Sequence, residues 1–449
     1  MSQFVIRPAA GPLRGSVPVP SDKSISHRAL ILAALASGSS VLRGFSSGED
    51  NVATLRAFQA MGVAAREDAS GTVEIDGVGL DGLRAPAQDL DCGNSGTTMR
   101  LLCGLLSAQS FAARLVGDAS LSGRPMGRVV NPLRSRGAVI EGRAHPTRPD
   151  DLTAPLVVGP LPPGQRLRSF EYTMPIASAQ VKSALLLSGL RAEGPTLVRE
   201  PVVSRDHTER MLRALGIPLE GVGTEVLLRP PERPDAISPF AIDLPGDLSA
   251  AAFLLVAAQL VPGSAVTVRH TGLNPTRAGI LDILRASGAD VSVQPEGDSL
   301  GEPVGQLTSR CGSLRGGTVG GELAVRAIDE IPVAAALAAR ASGETRFCDV
   351  GELRVKESDR IALMVALLRA FGVEADELEA GFVVQGRSQP LTAARVASGG
   401  DHRIAMSAAV LGLVADGETV IDDVDCVATS FPRFAGTLRA LGAEVEVRS

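Results

Sequence analysis

Six cationic side chains stand out by their surroundings: Lys23, Arg28, Arg124, Lys356, Arg360 and Arg403. Each lies in a polar turn or at the first turn of an apolar stretch. The same kind of turn holds Ser24, then Asn94, Gly96 and Thr97, then Ser178 and Gln180, then Asp247, and last His402. A helix N-terminus presents unpaired N–H groups and a partial positive charge, so such turns favour anions. Cations gathered from distant segments suit a small ligand with several negative charges. Two carboxylates accompany them, Glu357 beside Lys356 and Asp329 in the phrase IDEIP. Among cations a carboxylate is either a counter-ion or a general acid–base group, and residue type alone favours the counter-ion.

Local charge strengthens the anion reading. Segment 117–136 carries Arg124, Arg128, Arg134 and Arg136 against Asp118 alone. In VKESDR, Lys356 and Arg360 are four apart, which predicts one shared helical face if the segment is helical. Like charges at that spacing cost a few tenths of a kcal/mol, roughly, and a bound anion removes the cost.

Other chemistries fit less well. GSVPVPSDKS resembles a phosphate loop, but Asp22 stands where that pattern needs glycine. The dinucleotide glycine fingerprint follows no convincing strand. His27 and His207 lie in charged segments, where a hydrogen-bonded structural role is favoured over a general base. Cys92 and Cys103 read as small apolar packing. The five cysteines and five histidines form no CxxC or HxxxH-type pair, so neither a disulfide framework nor a zinc site is expected.

The elements that must carry these residues form a repeat. A phrase resembling LRALGA recurs six times, its glycines at 62, 137, 216, 288, 372 and 442, at intervals of 75, 79, 72, 84 and 70 residues. It predicts an amphipathic helix, a glycine cap and a strand. A second series interleaves with it, starting near Ser21, Gly93, Ala177, Gly246, Ile328 and Asp401. Each member is a polar turn followed by a run of small apolar residues with no polar face, which predicts a buried helix. Six units exceed one core, so two domains of three are expected, divided near 240–246.

Composition sets the outer bounds. The 449 residues are 45% hydrophobic but include no Trp, one Tyr and 12 Phe, so Ala, Val, Leu and Ile must fill the cores. The net charge of −6 and the scarcity of aromatic platforms exclude a broad nucleic-acid surface. No apolar run reaches the roughly 18 residues of a membrane span, and the first 20 residues do not read as a signal peptide. A reducing, cytoplasmic setting is expected.

Together, PSDKSISHRALILAALASG, GNSGTTMRLL, GDASLSGRPMGRVVNPLR, ASAQVKSALLLSGL, SRDHTERML, NPTRAG, ELRVKESDR, DHRIAM and ATSFP resemble the 5-enolpyruvylshikimate-3-phosphate synthase family, from about residue 11 to the C-terminus. The resemblance implies an α/β (α+β) enolpyruvyl transferase fold. Its two domains, 21–243 and 1–20 plus 244–449, would each hold three βαβαββ copies with buried parallel helices and share a cleft. It implies transfer of the enolpyruvyl group of phosphoenolpyruvate to the 5-hydroxyl of shikimate 3-phosphate, by addition and elimination. No cofactor or metal is implied, and a monomer acting on these two small molecules is expected, without nucleic-acid or membrane partners.

By motif position, the resemblance places Lys23 at both substrates and at the departing phosphate. It places Ser24, Arg28, Ser178, Ala179, Gln180 and Arg205 at shikimate 3-phosphate. Gly96, Arg124, Gln180, Arg360 and Arg403 would face phosphoenolpyruvate. Asp329 looks like the base for the 5-hydroxyl and Glu357 like the acid for the methylene carbon, with Lys356 assisting and near shikimate 3-phosphate.

ASAQVKSA, SRDHTE and Thr429 resemble the branch that binds the herbicide glyphosate poorly, whereas Gly96 matches the sensitive form, where tolerant enzymes carry Ala. Leu101 replaces the Pro common after MR. The sister transferase acting on UDP-N-acetylglucosamine is the nearest alternative. It has Lys-Asn where this chain has Lys23-Ser24, and usually a Cys in the loop matching 117–128, which here has none. A non-catalytic repeat module would be expected to lack the acids or cations, all of which are present.

Overall fold

The computed structural model describes residues 2–46 and 48–448. The chain forms two compact units: Met1–Pro20 with Pro245–Gly297 and Pro303–Ser449, and Ser21–Leu244 with Asp298–Glu302. The sequence division keeps 298–302 with 244–449. Instead, buried Glu302 bonds His207 at 2.8 Å and Ser299 donates to the Asp243 carbonyl at 2.7 Å, which draws the segment to the other unit.

Each unit contains three four-stranded sheets among the described residues. In the unit built on Ser21–Leu244, one sheet orders its strands as Ala241–Asp243, Ser37–Arg43, Val73–Val78 and Ala64–Glu67. The first pair is parallel and the other pairings are antiparallel. The second sheet runs Leu90–Asp91, Ala113–Val116, Arg148–Val158, Ile140–His145; the third runs Phe170–Thr173, Thr196–Arg199, Glu225–Leu228, Leu219–Glu220. The other unit repeats the four-stranded pattern, and the chain's first strands complete it. Gln3–Ile6 lies between Thr419–Asp422 and Val445–Arg448, and Arg14–Val17 pairs in parallel with Ala265–Gly272.

Six helices of small residues fill the interiors: Lys23–Ala34, Gly96–Leu106 and Ala179–Gly189 in one unit, Leu248–Leu260, Ile331–Ala338 and His402–Gly412 in the other. Every residue of Leu248–Leu260 is buried. Small side chains allow close approach: a Cβ added to Gly104 would sit 2.2 Å from the Ala184 carbonyl. Polar side-chain caps set the starts of five of these helices, Ile331–Ala338 being the exception. Asp22 accepts from the Ile25 N–H, Ser95 from Thr98, Ser178 from Val181 and Asp401 from Arg403. The six repeat glycines close the amphipathic helices with φ from +72° to +104°, where a side chain would be strained.

Candidate active site

In the unit Ser21–Leu244, three buried helices present their first residues. Lys23 opens one of them, with Nζ 2.8 Å from Asp50 Oδ2. One turn on, Arg28 is buried and spends its guanidinium on neutral acceptors: Thr208 Oγ1 at 2.7 Å, Ser183 Oγ at 2.8 Å and the Ser24 carbonyl at 2.9 Å. Burial pulls its pKa down to about 10, against Glu209, Asp22 and Glu302, while neighbouring Arg205 pulls it further down. Gly96 opens the second helix. A Cβ there would stand 2.7 Å from Arg100 Nη1 and 3.3 Å from Arg124 Nη1. Arg124 is held on Asn94, 2.6 Å from its Oδ1 and 3.2 Å from its carbonyl.

The third helix begins at Ala179, capped by Ser178. Gln180 links it to the second: its Nε2 donates to Thr97 Oγ1 at 2.9 Å, and its Oε1 accepts from Arg100 Nη1 at 2.7 Å. Arg205 lies in the short segment between the strand Thr196–Arg199 and the helix His207–Ala214. Lys23, Ser24, Arg28, Gly96, Arg124, Ser178, Ala179, Gln180 and Arg205 thus all belong to this unit.

Asp329, Lys356, Glu357, Arg360 and Arg403 belong to the other unit. Arg360, buried at the start of Arg360–Ala370, faces three carboxylates: Asp401 at 2.8 Å, Glu357 at 2.6 Å and Asp329 at 3.6 Å. Burial alone would lower its pKa, but the carboxylates prevail and the shift is upward. Burial would likewise raise the Asp401 carboxyl, yet Arg360 holds it below the usual range. Lys356 stands 3.7 Å from Asp329 and 3.3 Å from Glu352. Arg403 donates to the Asp329 carbonyl and lies 3.9 Å from buried Glu330.

The predicted helical stacking of Lys356 on Arg360 does not occur. A 3-10 turn ends at Val355, Lys356 has extended ψ, and the helix begins only at Arg360 with Asp359 as cap. The two cations meet through the Asp329 carboxylate instead. His27 and His207 are both buried structural groups, bonded to Thr54 Oγ1 and Glu302 respectively, each at 2.8 Å. Sequence reasoning missed Arg100, which touches the Gly96 carbonyl at 3.4 Å as well as Gln180. The available signal was its place one helical turn after Gly96. It also missed Asp50 and Asp401, the carboxylates that hold Lys23 and Arg360. Among the described residues no cluster of His, Cys, Asp and Glu could hold a metal ion.

The fold is that of the enolpyruvyl transferases. The enolpyruvyl transferase NikO from Streptomyces tendae shares it at a TM-score of 0.77, with 20% identity, over 100% of this chain and 99% of that one. Residues 8–438 match the family model of EPSP synthase (3-phosphoshikimate 1-carboxyvinyltransferase), and the chain belongs to that family. A 3-phosphoshikimate 1-carboxyvinyltransferase of Geobacter metallireducens is 47% identical over 99% of this chain and 100% of its own. One of Alkalilimnicola ehrlichii is 50% identical, covering 96% and 94%. The EPSP synthase structure from Acinetobacter baumannii matches with a TM-score of 0.87 and 41% identity over 100% of both chains.

Proposed function

We propose that the residues of both units serve one reaction, in the roles that follow. The chain is a 3-phosphoshikimate 1-carboxyvinyltransferase: it transfers the enolpyruvyl group of phosphoenolpyruvate to the 5-hydroxyl of shikimate 3-phosphate and releases phosphate. The observation that carries the role assignment is the surroundings of Asp329. Lys356 and Arg360 stand 3.7 and 3.6 Å from its carboxylate, and Arg403 is bonded to its carbonyl. The Asp329 carboxylate thus lies between two cations that suit anionic substrates, where a base for the 5-hydroxyl is needed.

In this reading Ser24, Arg28, Ser178, Ala179, Gln180, Arg205 and Lys356 hold shikimate 3-phosphate. Gly96, Arg124, Gln180, Arg360 and Arg403 receive phosphoenolpyruvate. Asp329 takes the proton of the 5-hydroxyl as its oxygen adds to C2 of phosphoenolpyruvate. Glu357 protonates the methylene carbon, which becomes a methyl group. Glu357, now a carboxylate, takes a proton back from the methyl group as the double bond reforms and the C–O bond to phosphate breaks. Lys23 neutralises the departing phosphate; its ion pair with Asp50 keeps the ammonium in place beforehand. Cations aimed at developing charge lower the barrier more than those that only bind the ground state.

The family relationship disfavours UDP-N-acetylglucosamine as acceptor. A phosphate-release assay with phosphoenolpyruvate tests both points. Release with shikimate 3-phosphate alone supports the reading, and release only with UDP-N-acetylglucosamine overturns it. A cytoplasmic monomer belongs to the same proposal. Its five free thiols suit a reducing compartment, and no helix among the described residues is long and apolar enough to cross a membrane. Light scattering at micromolar concentration tests the monomer.

A further inference from the structure

Behind Arg28 and Arg205 lies a buried ion cluster that the proposed reaction leaves unused. Lys182 Nζ is 2.6 Å from Glu200 Oε1 and 2.8 Å from Glu209 Oε1, with side chains only 2%, 1% and 5% exposed. It also donates to the Ser204 carbonyl at 3.3 Å. A lysine this buried costs stability unless it is paired, and here both partners are charged. The three residues come from three elements: the helix Ala179–Gly189, the end of the strand Thr196–Arg199 and the helix His207–Ala214.

Two members, Lys182 and Glu209, are next in sequence to a residue that holds Arg28. Ser183, after Lys182, and Thr208, before Glu209, are the two hydroxyls that accept from the Arg28 guanidinium, and Thr208 also bonds Ser183 at 2.7 Å. The Lys182–Glu209 pair therefore locks together the two helices whose hydroxyls orient Arg28. Glu200 accepts from the Ser204 N–H at 2.9 Å and from Ser204 Oγ at 2.6 Å, which closes the turn leading into Arg205. The Arg28 guanidinium is hydrogen-bonded to Thr208, Ser183 and the Ser24 carbonyl, all neutral groups. Its positive charge is therefore left for an anionic group of the substrate.

We infer that Lys182, Glu200 and Glu209 are positioning residues that set Arg28 and Arg205 for shikimate 3-phosphate. The inference rests on the reading that these two arginines bind that substrate. Removing the ammonium leaves two buried carboxylates facing each other, so the helices and the 200–206 turn shift and both arginines lose register. Phosphoenolpyruvate shares only Gln180 with the helix of Lys182, and its other receivers, Gly96, Arg124, Arg360 and Arg403, lie on other elements, so it is affected less.

The test is steady-state kinetics on the full-length enzyme with Lys182→Met and Ser204→Ala. In Lys182→Met the KM for shikimate 3-phosphate rises about tenfold or more, while kcat changes less than about threefold and the KM for phosphoenolpyruvate less than about twofold. Ser204→Ala keeps the ion trio and loses one bond to Glu200, so it raises the same KM about threefold. Should Lys182→Met not fold, Ser204→Ala decides alone. An unchanged KM for shikimate 3-phosphate, or a parallel rise in both KM values, overturns the inference. Arg28→Lys and Arg205→Ala separate the two levels. If these leave the shikimate 3-phosphate KM unchanged, the substrate assignment fails. If they raise it and the positioning variants do not, only the positioning role fails.

Discussion

Arg403 donates from Nη1 to the main-chain carbonyl of Asp329 at 2.6 Å, across 74 residues of sequence. The contact is to the backbone, so it ties a phosphoenolpyruvate-binding candidate to the candidate base without using the carboxylate. That carboxylate faces Lys356 and Arg360.

Asp329→Asn therefore separates base from scaffold. The Arg403 contact survives the substitution, because the carbonyl is retained. Turnover falls about 10²–10⁴-fold, the usual worth of a general base. Shikimate 3-phosphate affinity by isothermal titration stays within about threefold. A loss of affinity as large as the loss of turnover would make Asp329 a binding residue only.

Glu357→Gln removes the charge 2.6 Å from Arg360 but leaves the Asp401 pair at 2.8 Å, which keeps the buried guanidinium neutralised. The variant folds, and kcat falls about 10²-fold or more through loss of the acid. The KM for phosphoenolpyruvate moves by less than about threefold. If kcat were retained and that KM rose steeply, Glu357 would serve only to orient Arg360.

Gly96→Ala tests the phosphoenolpyruvate pocket. The new methyl meets Arg100 and Arg124, and Arg100 is anchored on Gln180 at 2.7 Å, so one of the two guanidinium groups must move. The KM for phosphoenolpyruvate rises several-fold. Glyphosate inhibits the Gly96 enzyme competitively with phosphoenolpyruvate and inhibits Gly96→Ala more weakly. Negligible inhibition of the Gly96 enzyme that appears only in the Ala variant would contradict the crowding argument.

His27 makes stability depend on pH. Burial pushes its pKa from 6.5 down to about 3, with Asp50 opposing and Lys23 and Arg28 assisting. The unfolded chain then binds the extra proton between those values, so stability is lost as pH falls below 6.5 and levels off near 3. At pH 5 the loss from this group is about 2 kcal/mol relative to pH 8. His27→Asn, which can keep the bond to Thr54, removes that part of the decline. Urea unfolding at pH 8 and pH 5 checks it; an identical decline in the variant and the parent would exclude His27 as the source.

Local patterns in the chain were enough to read the sixfold organisation, the polar turns that start the helices and the family motifs. Apolar periodicity, caps such as Asp22 and Ser95, and glycines at 62 through 442 need no distant partner to be read. The sequence could also name cations at polar turns, since charged residues at such turns stand out from a chain of small apolar residues. What it could not settle was which carboxylate neutralises which cation. Asp401 on Arg360, Asp50 on Lys23 and Glu200 with Glu209 on Lys182 are separated by 41, 27, 18 and 27 residues. Their pairing follows from how helices and turns pack, and burial then makes it obligatory. The expected helical face of Lys356 and Arg360 failed for the same reason. The Asp359 cap starts the helix at Arg360, and the tertiary structure brings Asp329 between the two charges from another segment.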